Sequence, residues 1–203
     1  MKAITALSLL TSLLFIPSAW AHQCPEGTTL ETKPLKDKDG KADGRIVSCR
    51  DANGEVHGKQ TKWYENGQKG AETHYVHGKE HGQATAWHAN GRKHAEVFFV
   101  EGKKHGQETR WHSNGKQWIE VQYVEGKRHG KATAWHANGR KHAEVPYVEG
   151  KRHGKVTFWY ESGQKRIEVS LKDDAFTDDC RSWDEAGKDD DGAECAALRK
   201  HER

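Results

Sequence analysis

One motif recurs at a fixed interval through the middle of the chain, and that period limits what the chain can fold into. His-Gly stands at His57-Gly58, His81-Gly82, His105-Gly106, His129-Gly130 and His153-Gly154, evenly spaced throughout. Six residues after each His stands a Trp (Trp63, Trp87, Trp111, Trp135, Trp159), four after it a Thr (Thr61 to Thr157), and fifteen after it a Glu (Glu72 to Glu168). Fourteen of the 21 glycines fall at three positions of this unit, so glycine serves the repeat rather than scattered loops. A period of 24 residues means one supersecondary unit stacked on copies of itself, each burying its apolar surface on its neighbours.

Each unit reads as a β-hairpin. Gln83 to His88 is a short strand, Asn90-Gly91 a turn, Ala95 to Val100 a second strand, and Glu101-Gly102 the next turn. In the second strand the apolar residues alternate: Ala95, Val97 and Phe99, then Ile119, Val121 and Tyr123, then Ala143, Val145 and Tyr147. Period two is the mark of a strand, with Glu96, Glu120 and Glu144 on the other face. A two-residue Asn-Gly turn would set Trp87 opposite His94. A three-residue turn with Gly91 left-handed puts Trp87 on the face of Ala95, Val97 and Phe99, which gathers the apolar residues, and this is the expected arrangement. The glycine after each repeat His is expected to seat a Trp or Tyr ring over bare backbone.

The fold class is therefore all-β: an elongated, single-layer antiparallel meander of about five hairpin units, starting at residues 57, 81, 105, 129 and 153, with disulfide-bearing caps. Two strands per unit at about 4.8 Å give about 10 Å per repeat, hence a ribbon near 50 Å long for five units. With 33% hydrophobic and 31% charged residues the chain is too poor in apolar side chains for one thick core, but a thin ribbon needs only a stripe.

The ends fall outside the period. Residues 1–21 have a basic start at Lys2, an apolar run through Leu9 to Ile16 and a small-x-small end at Ala19-Trp20-Ala21, the layout of a secretory signal peptide. The expected divisions are a leader over 1–21, an N-terminal cap over 22–45, the repeats over 46–172 and an acidic cap or tail over 173–203. An exported chain, periplasmic or secreted and without a transmembrane segment, can hold its four cysteines as disulfides. Three connectivities are possible; local closure favours Cys24 with Cys49 and Cys180 with Cys195. Residues 173–203 hold 11 Asp+Glu against 5 Lys+Arg (net −6), whereas residues 57–172 hold 21 Lys+Arg against 12 Asp+Glu (net +9). Two arrangements of the tail fit this asymmetry: folded back over the basic sheet until a partner displaces it, or a solvated charged segment.

Units such as Tyr123 to Gly130, followed by Thr133, Trp135 and Asn138-Gly139, resemble the MORN repeat in the variant common in bacterial proteins. The resemblance covers residues 46–172. It departs from the commonest eukaryotic form at the strand ends, where Tyr-x-Gly gives way to Glu-Val-x-Tyr. It implies a meandering antiparallel sheet without intrinsic catalysis, used as a platform for proteins or lipids, and some bacterial members resemble antitoxin or immunity proteins.

The residues themselves offer little reactive chemistry. His88 with His94, and His136 with His142, are two-donor pairs with only Glu96 or Glu144 as a third, so no metal or cofactor is expected. Asp37 to Gly44 and Asp189 to Gly192 lack the donor order of a calcium loop. Thr, Glu and His recur in step as structural positions do, and no unique nucleophile, base and orienter converge, so no enzyme is expected. Where the units differ is the face away from the Trp row. One row there reads Lys62, Ala86, Arg110, Ala134, Phe158; another reads Gly70, His94, Trp118, His142, Arg166. Trp118, His94, His142, Arg110, Phe158 and Arg166 are the candidate partner-binding residues, Trp118 foremost as the only Trp in the repeats off its regular position. The expected partner is a protein, a secreted toxin among the candidates; the alternative is an anionic lipid or polysaccharide attracted by the basic, His-rich sheet. Nucleic acid is not expected.

Overall fold

A computed structural model describes residues 23–190, 192 and 194–196. The proposed leader over 1–21 lies outside the described residues. The chain forms a single open antiparallel sheet whose sixteen strands follow chain order. Strands β1 (Thr29–Lys36) and β2 (Ala42–Arg50) precede the repeats. The hairpins are β3 (Val56–Trp63) with β4 (Lys69–Val76), β6 (Gly82–Trp87) with β7 (Lys93–Val100), and β9 (Gly106–Trp111) with β10 (Gln117–Val124). They continue as β11 (Lys127–Trp135) with β12 (Lys141–Val148), and β14 (Gly154–Trp159) with β15 (Lys165–Lys172). The two-residue strands β5 (Lys79–Glu80), β8 (Lys103–Lys104) and β13 (Lys151–Arg152) pair antiparallel with the ends of the preceding β4, β7 and β12, and β16 (Ala175–Ser182) closes the path.

Two turn types alternate along the ribbon. At the Asn-Gly end the His88 amide donates to the Arg92 carbonyl at 2.8 Å and the Gly91 amide to the His88 carbonyl at 2.9 Å, with Gly91 at φ +80°. That is the three-residue turn expected from the sequence, closed by a left-handed glycine. At the other end Glu101 and Gly102 have φ of 49° and 80° between the paired residues Val100 and Lys103, a two-residue primed turn.

The turn does not place Trp where the sequence suggested. Trp87 pairs with Lys93, but Ala86 pairs with Ala95, so His94 is an extra residue on β7, a β-bulge. The same extra residue occurs at Gly70, Trp118, His142 and Arg166. A one-residue slip exchanges the faces of a strand. Ala86 therefore faces Ala95, Ala84 faces Val97, and Trp87 lies on the opposite side with Thr85 and Glu96. The expectation that Trp joins Ala95, Val97 and Phe99 is corrected by this bulge. Lys93 and Glu96 confirm it: three apart on a regular strand they would point to opposite faces, yet they form an ion pair at 2.8 Å.

The Trp face is consequently a ladder of ring, ammonium and carboxylate. Lys69 lies 5.3 Å from the Trp87 ring, Lys93 5.8 Å from Trp111, Lys141 5.7 Å from Trp159 and Lys165 6.0 Å from Trp183. Each lysine also pairs with its own unit's glutamate, at 2.6 to 2.8 Å. In the third unit Gln117 stands in the lysine position and bonds Glu120 at 2.9 Å. The Thr and Glu rows meet across every hairpin, as Thr85 opposite Glu96 and Thr133 opposite Glu144.

The glycine after each repeat His seats no Trp or Tyr ring: Gly58 lies against Pro25 and Gly154 against Pro146. Gly82, Gly106 and Gly130 have φ of 81°, 76° and 71°, and nothing lies within 4 Å of where a Cβ would stand. Glycine is required there by a left-handed backbone at the break in pairing between units.

Disulfides join Cys24 to Cys49 and Cys180 to Cys195, with Cα separations of 5.5 and 6.0 Å. The periodic structure runs past residue 172. β16 pairs with β15, Trp183 stands one full period after Trp159, and Asp184 to Lys188 repeats the three-residue turn. Beyond it the chain turns back: the Asp190 amide donates to the Ser182 carbonyl at 3.2 Å, and Glu194 pairs with Arg166 at 2.8 Å. The best-buried apolar cluster lies at this end, with Val156, Ile167, Val169 and Leu171 packed by Phe158, Phe176 and Cys180.

Gln117→Lys is expected to complete the ladder over Trp135 and stabilise the fold by about 0.5–1 kcal/mol, read from a urea titration. Replacing both Cys180 and Cys195 by Ser opens a 15-residue loop and is expected to cost about 3 kcal/mol in the same measurement.

Candidate binding face

The bulge residues are the variable row singled out in the sequence, and each meets the ring that opens its hairpin turn. His94 stacks on His88 and His142 on His136, both with ring centres 4.5 Å apart, and Trp118 lies 5.9 Å from His112. In the first unit a Cβ on Gly70 would come within 3.2 Å of the Tyr64 ring, so glycine leaves room for the larger aromatic.

Those opening rings are themselves fixed by the next unit. Tyr64 Oη donates to the Trp87 carbonyl at 2.8 Å and Tyr160 Oη to the Trp183 carbonyl at 3.0 Å. His88, His112 and His136 reach the carbonyls of Trp111, Trp135 and Trp159 through Nε2, each at 3.0 Å. A carbonyl only accepts, so Nε2 carries the proton in all three. The turn asparagines make a parallel set of ties. Asn90 Oδ1 accepts the Arg92 amide within its own turn while Nδ2 donates to the Ser113 carbonyl in the next turn, and Asn66, Asn114 and Asn138 do the same. Sequence reasoning missed both sets. The signal for the first was a position occupied only by Tyr or His, the side chains that carry a ring-borne donor of this reach.

On the face opposite Trp, one row runs Arg110, Ile119, Ala134, Ala143, Phe158, Ile167 across successive strands. Between the taller ends of this row lies a shallow concavity of about 160 Å³, lined by Ile119, Val121, Ala132, Ala134, Ala143 and Val145, with Arg128 and Tyr147 at one end. It exists because β11 contributes two alanines where β9 carries Glu108 and Arg110 and β14 carries Val156 and Phe158. Residues 84–97 have the same sequence as 132–145, but their β4 neighbours are Ala71 and Thr73 in place of Ile119 and Val121. The concavity is thus a property of one place in the ribbon.

The structure brings most of the candidate residues around this hollow. Trp118 and His142 flank it on the turn side, next in chain to Ile119 and Ala143. Phe158 and Arg110 stand in the adjoining strands, and His142 meets Phe158 edge-on at 6.3 Å. Among the described tryptophans only Trp118 is exposed, at 36%. His94 lies on β7, apart from the hollow, and Arg166 is engaged by Glu194. Arg110 pairs with Glu108, a buried carboxylate that Lys104 also binds at 2.6 Å. Burial pushes the Glu108 carboxyl up, but the hydrogen bonds from Lys104 and Arg110 outweigh it and hold it below the usual range.

Three segments, 56–77, 104–125 and 152–173, match the family model described as the MORN repeat variant. The repeats are MORN repeats. The matched segments are alternate units, and the stretches between them, 80–101 and 128–149, carry the same His, Thr, Trp and Glu spacing. No curated protein matches the chain. A MORN sheet is a scaffold, and here its distinguishing chemistry sits on the bulge row and the hollow beside it.

Burial, then the neighbouring His88 and Arg110, lowers the His94 pKa; burial, then His136 and Arg166, lowers that of His142. A depressed pKa means the folded state resists protonation, so stability is complete above about pH 6.5 and declines as pH falls through the folded values. Urea titrations from pH 7.5 to 5 are expected to show this decline, and the double variant His94→Gln with His142→Gln to flatten it.

Proposed function

We propose that this chain is an exported, non-enzymatic MORN scaffold that binds a protein partner through the hollow beside Trp118, in the manner of an immunity protein neutralising a toxin of the cell envelope. The observation that carries the reading is Trp118 itself: an exposed aromatic on a rigid bulge, at the edge of an apolar concavity with a polar rim of Arg110, Arg128 and His142. Anchors that dominate protein interfaces have this composition and setting. Two disulfides and the leader-like pattern of residues 1–21 support an oxidising compartment outside the cytoplasm, periplasmic or secreted.

The net positive charge of the repeats favours a second reading, attraction to anionic lipid or polysaccharide. The pairing on the Trp face weakens it. Glu72, Glu144 and Glu168 each hold two lysines, and Glu96 holds Lys93 and accepts Gln83, so much of the cationic surface there is already neutralised. A protein complex is expected to form 1:1, to survive moderate salt, and to weaken about 30-fold or more with Trp118→Ala, roughly 2 kcal/mol. Envelope extracts captured on the parent and variant chains, followed by titration of the captured protein, check this. Adsorption to anionic vesicles that fades with salt and is indifferent to Trp118→Ala would favour the second reading instead.

A further inference from the structure

At the N-terminal end of the repeats three donors come together that the period does not explain. Asp51 opens the turn between β2 and β3, His57 lies near the start of β3, and His77 is the first residue of the two-residue turn after β4. One ring nitrogen from each histidine and one Asp51 carboxylate oxygen lie within 4.8 Å of one another. His77 Nδ1 stands 3.3 Å from Asp51 Oδ2, and the two imidazoles are 4.8 Å apart, tilted by 55°. The units that follow place Glu101, Glu125 and Glu149 where His77 stands.

We propose that Asp51, His57 and His77 form a binding site for a divalent transition-metal ion of the zinc type. Donors 2.0–2.1 Å from a tetrahedral ion are about 3.4 Å apart, a spacing that Asp51 and His77 already have at 3.3 Å; the His57 donor, within 4.8 Å of both, would move inward to complete the set. The carboxylate is held for this role. Its Oδ1 accepts the amides of Asn53 and Glu55 at 3.0 Å each, which leaves Oδ2 directed at His77, as the outer partners of metal ligands characteristically do. His57 Nδ1 takes the His77 amide at 3.4 Å, a long contact that a cation would replace. Two imidazoles and a carboxylate suit zinc or its first-row neighbours, whereas calcium and magnesium call for a shell of oxygens. The fourth position falls to water or to Glu55, whose carboxylate borders Gly78. A bound ion would clasp the turn at 51–55 to the turn at 77–78.

Calorimetric titration of the chelator-stripped chain with zinc chloride tests the proposal, with thermal melts in parallel. The expected result is one site whose occupancy raises the melting temperature, with affinity at least tenfold weaker in both His77→Asn and His57→Gln. Asparagine suits a left-handed turn position, so His77→Asn keeps the fold, which the metal-free melt verifies. The double variant His94→Gln with His142→Gln is expected to retain the site. Parent-like zinc binding by His77→Asn and His57→Gln, or loss of binding only in the His94, His142 variant, would overturn the assignment.

Discussion

One extra residue per hairpin decides the character of both faces. Without the bulge at His94 and its counterparts, the three-residue turn would carry Trp onto the side of Ala, Val and Tyr, leaving the other face wholly polar. With it, each face receives a share of apolar surface. Trp stands among Lys and Glu, where a cation can cover its ring and a carboxylate can hold the cation. Ala, Val and Tyr line the other side, where the bulge residues stand over the turn rings. A single-layer sheet has no second layer to hide behind, and dividing the apolar area lets neither side present a broad greasy surface.

The strands, the alternation of turns and the meandering order were legible in the sequence, because each depends on a residue type at a fixed place: Gly91 left-handed, Val121 between Glu120 and Gln122, His81-Gly82 recurring once per unit. The bulge was not legible. Its residue is Gly, His, Trp, His and Arg in successive units, so no residue type marks it; what reveals it is the pairing of Ala86 with Ala95, a tertiary fact. The candidate residues were nonetheless placed on the correct side relative to Trp, since both rows of variation lie opposite the ladder. Arg166 could not be assigned from spacing, because Glu194 reaches it only after the chain reverses beyond β16.

The ties between units are polar and local. A ring donor reaches the next Trp carbonyl, an asparagine reaches the next turn, and a lysine reaches the next indole, so each unit interacts chiefly with its neighbours. Stability in such a ribbon is close to a sum of unit and interface contributions. The ends, which lack one neighbour, are where disulfides have been placed, and the most deeply buried side chains cluster where the C-terminal segment returns to the sheet.

The identity of residues 84–97 with 132–145 has a further meaning in view of these ties. The bonds that join one hairpin turn to the next all span nearly one full period and end on backbone carbonyls, which every residue supplies. A unit gained or lost whole leaves each donor with an acceptor and each indole in its row. Ribbon length is therefore a quantity that replication can change in discrete steps without repacking an interior, and the reach of the scaffold can evolve independently of the chemistry on its surface.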